Sequence, residues 1–112
     1  MSDLKNLKDY VNDGTGEPRD LTRKMRIVLE THLRRVYSKD FEANDTLGEI
    51  VEKIRKGGSA HSAWGLLTDL DEINIYSRYD HHGDNPNFPA TGEPDKTQLR
   101  GFVKRTLKIV NV

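Results

Sequence analysis

Arg26 and Glu30 stand four residues apart inside a long amphipathic stretch, and Arg78 is followed at short range by His81 and His82. A helix turns once every ~3.6 residues, so Arg26 and Glu30 project from one face, where a guanidinium and a carboxylate can pair with each other or flank a phosphate. Two readings of the pair therefore stay open, ordinary helix decoration and chemistry. The other candidates are weaker. His81 and His82, with Asp80 and Asp84, offer metal-ligand types, but adjacent histidines in an irregular segment do not aim at one ion, and no metal site is expected. His32 shares a face with Met25, Val28, Leu29 and Val36 and reads as a packed or edge histidine. His61 precedes Trp64 and reads as decoration of a helix start. Ser62 and Ser77 lack a histidine and an acid at any triad spacing.

The elements that must position these residues are almost all helical. Leu4, Leu7, Tyr10 and Val11 suit a short first helix, ended by Asn12, Asp13 and Gly14, with Gly16 to Pro18 read as a break. Asp20 reads as the N-cap of a second helix, whose Leu21, Met25, Val28, Leu29, Leu33 and Val36 hold the helical period for about four turns. Thr46 and Glu49 have capping-box spacing ahead of Leu47, Ile50, Val51 and Ile54, so a third helix is expected over 46–56, closed by Gly57 and Gly58. Ser59 to Tyr79 reads as two helices meeting near Thr68 and Asp69, with Trp64 as a core anchor. Asp80 to Pro94 is rich in Gly, Pro and Asn and reads as one long, mobile loop before a last helix, which Asp95 or Thr97 caps and Leu99, Phe102, Val103 and Leu107 bury. The brief stretches Ile73 to Ile75 and Lys108 to Val112 are the only strand candidates. The expected fold is an all-α compact bundle of five or six helices in a single domain, with Leu21, Val28, Leu29, Ile50, Val51, Ile54, Trp64, Leu67, Phe102 and Val103 packed together.

Composition narrows the function classes. A chain of 112 residues holds one core and no second functional half. No phosphate-binding or dinucleotide-binding glycine motif occurs, so no nucleotide and no cofactor is expected. Cysteine is absent, which removes disulfides and thiolate chemistry and fits a reducing cytosol. No apolar run reaches the ~18 residues that span a bilayer, and Met1 to Lys5 lacks the apolar core of a signal peptide, so a cytoplasmic protein with no membrane contact is expected. Net charge is zero, but the charges are segregated. Arg19, Arg23, Lys24, Arg26, Arg34, Arg35 and Lys39 face only Asp20 and Glu30, and the next stretch holds Asp40, Glu42, Asp45, Glu49 and Glu52. Neighbouring helices could attract each other through this pattern, or the basic face could meet nucleic acid, with Arg23, Lys24 and Arg34 as its phosphate contacts.

The run Arg26-Ile-Val-Leu-Glu30-Thr-His-Leu-Arg34, then Leu70-Asp-Glu-Ile73-Asn74-Ile-Tyr76-Ser77 leading to histidines, then Leu99-Arg-Gly-Phe-Val103-Lys-Arg-Thr-Leu107, resembles the C-terminal helical region of bacterial AAA/ABC-type anti-phage ATPases. Those proteins are related to the anticodon nucleases, and their helical end resembles the HEPN class of ribonuclease domains. The resemblance spans about residues 20 to 110, so residues 1–19 read as an N-terminal helix and linker and 20–112 as a HEPN-like core. The ATPase half that precedes this region in the family is not in the chain.

The resemblance implies a defence-type module and a site. Anticodon nucleases carry Arg and Glu four apart on one helix plus a distant His, which here are Arg26 and Glu30 with His81 or His82. Ribonucleases of the HEPN class carry Arg followed by His after four to six residues, and the two or three residues between Arg78 and His81 or His82 depart from that spacing. Such a metal-independent ribonuclease needs a base for the 2′-hydroxyl proton, an acid for the leaving 5′ oxygen and a cation for the phosphorane. Histidine, with an ordinary pKa near ~6.5, can be either proton carrier, and arginine can clamp the nonbridging oxygens. Two functions are thus carried forward. One is an RNA-binding or RNA-cleaving helical domain, with RNA, an ATPase subunit or a second copy as partner. The other is a catalytically inert interaction module in which the Arg/Glu/His set is structural. They are separated by whether Arg26, Glu30 and the histidines meet in one open cleft.

Overall fold

The computed structural model describes residues 2–78 and 95–111, and these form five α-helices with no strand among them. Helix α1 runs Asp3–Asp13, with the Ser2 hydroxyl accepting from the Lys5 amide at its start. It stops at Gly14, whose φ of 77° is the left-handed turn that glycine adopts without a Cβ penalty. Helix α2, Pro18–Val36, is capped by Glu17, three residues before the expected Asp20 cap. The Glu17 carboxylate accepts from the amides of Arg19 (3.1 Å) and Asp20 (2.8 Å), and Pro18 fills the first helical position, where its missing N–H costs nothing. Gly16-Glu17-Pro18, read as a break, is thus the start signal itself.

Helix α3, Leu47–Gly57, carries the expected capping box, with the Thr46 hydroxyl accepting from the Glu49 amide and the Glu49 carboxylate from the Thr46 amide. Two single 3₁₀ turns, Gly58–Ala60 and Trp64–Leu66, replace the first of the two helices expected over 59–79, and helix α4 is Leu67–Ser77. Both 3₁₀ turns are built around His61. Its carbonyl accepts from the Trp64 amide, its Nδ1 accepts from the Ala63 amide at 3.0 Å, and its ring stacks on Phe41 at 5.6 Å. A Cβ at Gly57 would lie 2.9 Å from that ring, so the glycine is needed for the close approach. Helix α5, Lys96–Ile109, is capped by Asp95, whose carboxylate accepts from the Gln98 amide. The loop expected over Asp80 to Pro94 lies outside the described residues.

The buried side chains form two clusters rather than one, and α2 runs through both. Its first half puts Leu21 and Met25 against Leu7 and Tyr10 of α1 and against Leu99, Val103 and Leu107 of α5. Its second half puts Leu29 and Leu33 against Leu47, Ile50 and Ile54 of α3 and Leu70 and Ile73 of α4. Phe102 touches both clusters and stacks on Tyr76 at 4.1 Å, and burial holds the Tyr76 hydroxyl up at a pKa of about 12. Trp64 is not the anchor that its size suggested: it is 41% exposed, and Leu66 and Leu67 beside it are the residues that turn toward the core. Val36, at the last turn of α2, is likewise 49% exposed. None of the described helices is long and apolar enough to cross a membrane.

Candidate functional site

Arg26 and Glu30 leave α2 on one face, as their spacing requires, but reach different neighbours. The Arg26 Nη1 donates to the Asn74 carbonyl at 3.2 Å and to the Ser77 hydroxyl at 3.0 Å. Those acceptors belong to the last turn of α4, where unpaired carbonyls carry the negative end of the helix dipole and favour a cation. Ser77 is fully buried, and its hydroxyl donates a hydrogen bond to the Ile73 carbonyl at 2.6 Å. The Glu30 Oε2 accepts from the Leu47 amide at 2.7 Å. Leu47 is the first residue of α3, so a carboxylate sits at the positive end of that helix and satisfies an amide the capping box leaves over. Among the described residues no ion pair joins Arg26 to Glu30.

Arg78 is exposed, and its amide donates at 3.0 Å to the same Asn74 carbonyl that Arg26 reaches. The end of α4 therefore brings the Arg78 backbone beside the Arg26 guanidinium, while Glu30 stays with α3. His81 and His82 lie outside the described residues. The acid and the guanidinium of the expected set are thus each tied to a helix end.

The expected phosphate contacts on α2 are also bound within the molecule. Arg23 and Lys24 both pair with Asp20, at 2.5 and 2.7 Å, and Lys24 also bonds Asn6 of α1. Two bonds hold Arg34 to backbone: Nε to the Glu30 carbonyl at 3.1 Å and Nη1 to the Ala43 carbonyl at 2.8 Å. The acidic stretch after α2 is served instead by Lys53, whose ammonium lies 2.6 Å from the Asp45 carboxylate. Lys53, with the Glu42 amide, holds Asp45 below the usual carboxylate range. His32 is half-buried as expected, and burial followed by the nearby Arg35 pushes its pKa down. Among the described residues no group of three or more His, Asp or Glu could hold a metal ion.

The arrangement that sequence reading passed over lies on α5. Lys96, Arg100, Lys104 and Lys108 follow one another at intervals of four, all four are exposed, and no acidic residue occurs between Lys96 and Ile109. Each step advances ~6 Å along the axis, so the cations form a slowly winding row. Like charges four apart weaken a helix by ~0.2–0.5 kcal/mol per pair, so the row is not there for helix stability. It borders two clefts. One, of about 520 Å³, lies between the end of α1 and the start of α5 and includes Tyr10, Asn12, Asp13, Lys96, Thr97 and Arg100. The other, of about 420 Å³, is lined by Lys104, Leu107, Lys108 and Asn111. Arg100 is steadied by its Nε bond to the Val11 carbonyl at 3.0 Å. The remaining cation, Arg105, points the other way, to Asp69 at 2.6 Å and Glu72 at 2.7 Å, with its guanidinium over the Phe102 ring. The interval of four between basic residues was a signal readable in the sequence.

Comparison of the chain with family models, with curated proteins and with solved structures gave no match.

Proposed function

We propose that this chain is a HEPN-like helical module that binds the phosphodiester backbone of nucleic acid through α5 and performs no chemistry with Arg26 and Glu30. The row Lys96, Arg100, Lys104 and Lys108 carries the reading. Four exposed cations on one side of a helix, flanked by clefts and without interleaved acids, suit a chain of regularly spaced phosphates, and an overall neutral protein can bind through such a local patch. On this reading the module works in the cytoplasm beside an ATPase subunit supplied by another chain, for which the family resemblance is the support. The test is fluorescence anisotropy with a labelled 20-nucleotide RNA. Four phosphate contacts give a slope of about −2.8 in log affinity against log salt, and Lys104→Glu with Lys108→Glu flattens it by about 1.4 or more. Polyglutamate competing as well as RNA would make the partner an acidic protein and overturn the reading, as would binding unchanged in the double variant.

A second reading, residual ribonuclease chemistry, is favoured by one observation: the Arg26 guanidinium and the Arg78 backbone amide share the Asn74 carbonyl, and His81 and His82 follow Arg78 in the chain. RNA cleavage lost in His81→Ala or His82→Ala, with folding and binding intact, would establish it.

A further inference from the structure

We propose that the cleft between the end of α1 and the start of α5 takes the terminal phosphate of a nucleic-acid strand, so that α5 holds a strand by its end as well as along its backbone. This site depends on α5 being a nucleic-acid surface, and it names the group that the first two cations of the row receive. Those cations differ in setting from the later ones. Lys104 and Lys108 share their cleft with only Leu107 and Asn111. Lys96 and Arg100 enter the larger cleft of about 520 Å³ together with the Tyr10 hydroxyl, the Asn12 carboxamide and the Thr97 hydroxyl. That volume lies within the ~300–1,000 Å³ of small-ligand sites and has room for a terminal nucleotide.

The groups lining the cleft converge. The Arg100 Nε bond to the Val11 carbonyl at 3.0 Å fixes the guanidinium on the α1 side and leaves its two Nη groups as donors among the described residues. Tyr10 is only 5% exposed, yet its hydroxyl reaches no described partner nearer than the Lys96 carbonyl at 3.5 Å, beyond the ~2.5–3.0 Å of a full O–H···O bond. Burial raises the pKa of that hydroxyl while the Lys96 and Arg100 charges oppose the rise, so both cations stand within electrostatic range of it. The acid on the lining, Asp13, accepts from the Thr15 amide at 2.9 Å. A diester phosphate brings one negative charge and two nonbridging oxygens, whereas a terminal phosphate brings about −1.5 to −2 at pH 7 and three such oxygens. Two cations with the Tyr10, Asn12 and Thr97 donors beside them match the terminal group, and the later lysines match diesters. A dianion between Lys96 and Arg100 also relieves their mutual repulsion at four residues' spacing.

The experiment is fluorescence anisotropy with one RNA sequence of about 20 nucleotides, labelled at an internal position and carrying a 5′-phosphate, a 3′-phosphate or hydroxyls at both ends. At least one phosphate-ended strand is expected to bind ~tenfold tighter or more than the hydroxyl-ended strand, and the end concerned is the one that the cleft receives. Arg100→Gln should bring this ratio below about threefold, and Lys96→Gln repeats the test without touching the Val11 contact. Tyr10→Phe, which removes one oxygen, should lower the ratio by about twofold or more. Lys108→Gln should weaken all three strands together and leave the ratio as in the wild type. Lys96, Arg100 and Lys108 are exposed, so circular dichroism should show the same fold in their variants. Equal binding of the three strands overturns the terminal-phosphate site and leaves the backbone reading of α5 standing, whereas no binding of any strand overturns both. A ratio that survives both Arg100→Gln and Lys96→Gln also overturns the site, because the phosphate is then held elsewhere.

Discussion

Removing Glu30 should destabilise the protein, and by an amount that a catalytic role does not predict. Its carboxylate sits 2.7 Å from the amide of Leu47, a fully buried residue that opens α3. A hydrogen bond to a charged group contributes ~1.5–3 kcal/mol, and a buried amide left unsatisfied costs ~1–3 kcal/mol, which describe the same loss from two sides. Glu30→Ala should therefore cost ~1.5–3 kcal/mol. Glu30→Gln keeps an acceptor and loses the charge at the helix start, so it should cost ~0.3–1 kcal/mol. With an unfolding entropy of ~2.1 cal/mol/K per residue, a chain this size shifts its melting temperature by about 4 °C for each kcal/mol. The expected drops are about 6–13 °C for Glu30→Ala and about 1–4 °C for Glu30→Gln, read from thermal melts at pH 7 by circular dichroism. Catalytic groups commonly cost stability, so replacing one tends to leave melting unchanged or to raise it. A Glu30→Ala protein that melts with or above the wild type refutes the structural assignment. A second check is the double-mutant cycle with Arg26→Ala. Because Arg26 and Glu30 serve different helix ends, the coupling should stay below ~0.5 kcal/mol, whereas a mutually dependent pair would exceed it.

Ile50→Ala should cost ~2–5 kcal/mol by opening a cavity among fully buried side chains of α3 and α4, while Trp64→Ala, at an exposed site, should cost under ~1 kcal/mol; chemical denaturation of both variants checks the ranking. Asp45 is held below its ordinary value of 3.8 by Lys53, so it binds fewer protons folded than unfolded. Its stabilisation is complete above that ordinary value and is lost as pH falls through the lower folded one. Asp45→Asn should thus flatten the acid limb of a stability-against-pH curve and leave its shape near neutrality unchanged.

What could be read from sequence was what local geometry decides. The capping box of Thr46 and Glu49 and the helical period of Leu47, Ile50 and Ile54 need only residues within one turn of each other, and both are present as expected. Burial of Trp64 depends on which helices close over it, and the half-buried Leu66 and Leu67 pack against the core in its place. The start of α2 was missed because Pro18 ends a helix when it stands inside one and begins a helix when it stands at the first position; Glu17 decides between these through bonds formed only in the folded turn. The row on α5 was readable, since it is nothing but spacing.

The opening pair shows why spacing alone could not decide its own meaning. Arg26 and Glu30 are separated along α2 by ~6 Å, which suits an ion pair on one helix. The same separation is within side-chain reach of two adjacent helix ends, because packed helices lie ~8–10 Å apart and both side chains are long. The start of α3 and the end of α4 are such neighbours: a Cβ on Gly48 would come 3.9 Å from the Asn74 side chain. One of those ends is positive and the other negative, and α2 offers each the opposite charge, Glu30 to the amide of Leu47 and Arg26 to the carbonyl of Asn74. In this arrangement the two residues ignore each other because each has a nearer partner of fixed geometry, so the interval of four serves as the gauge between two helix ends.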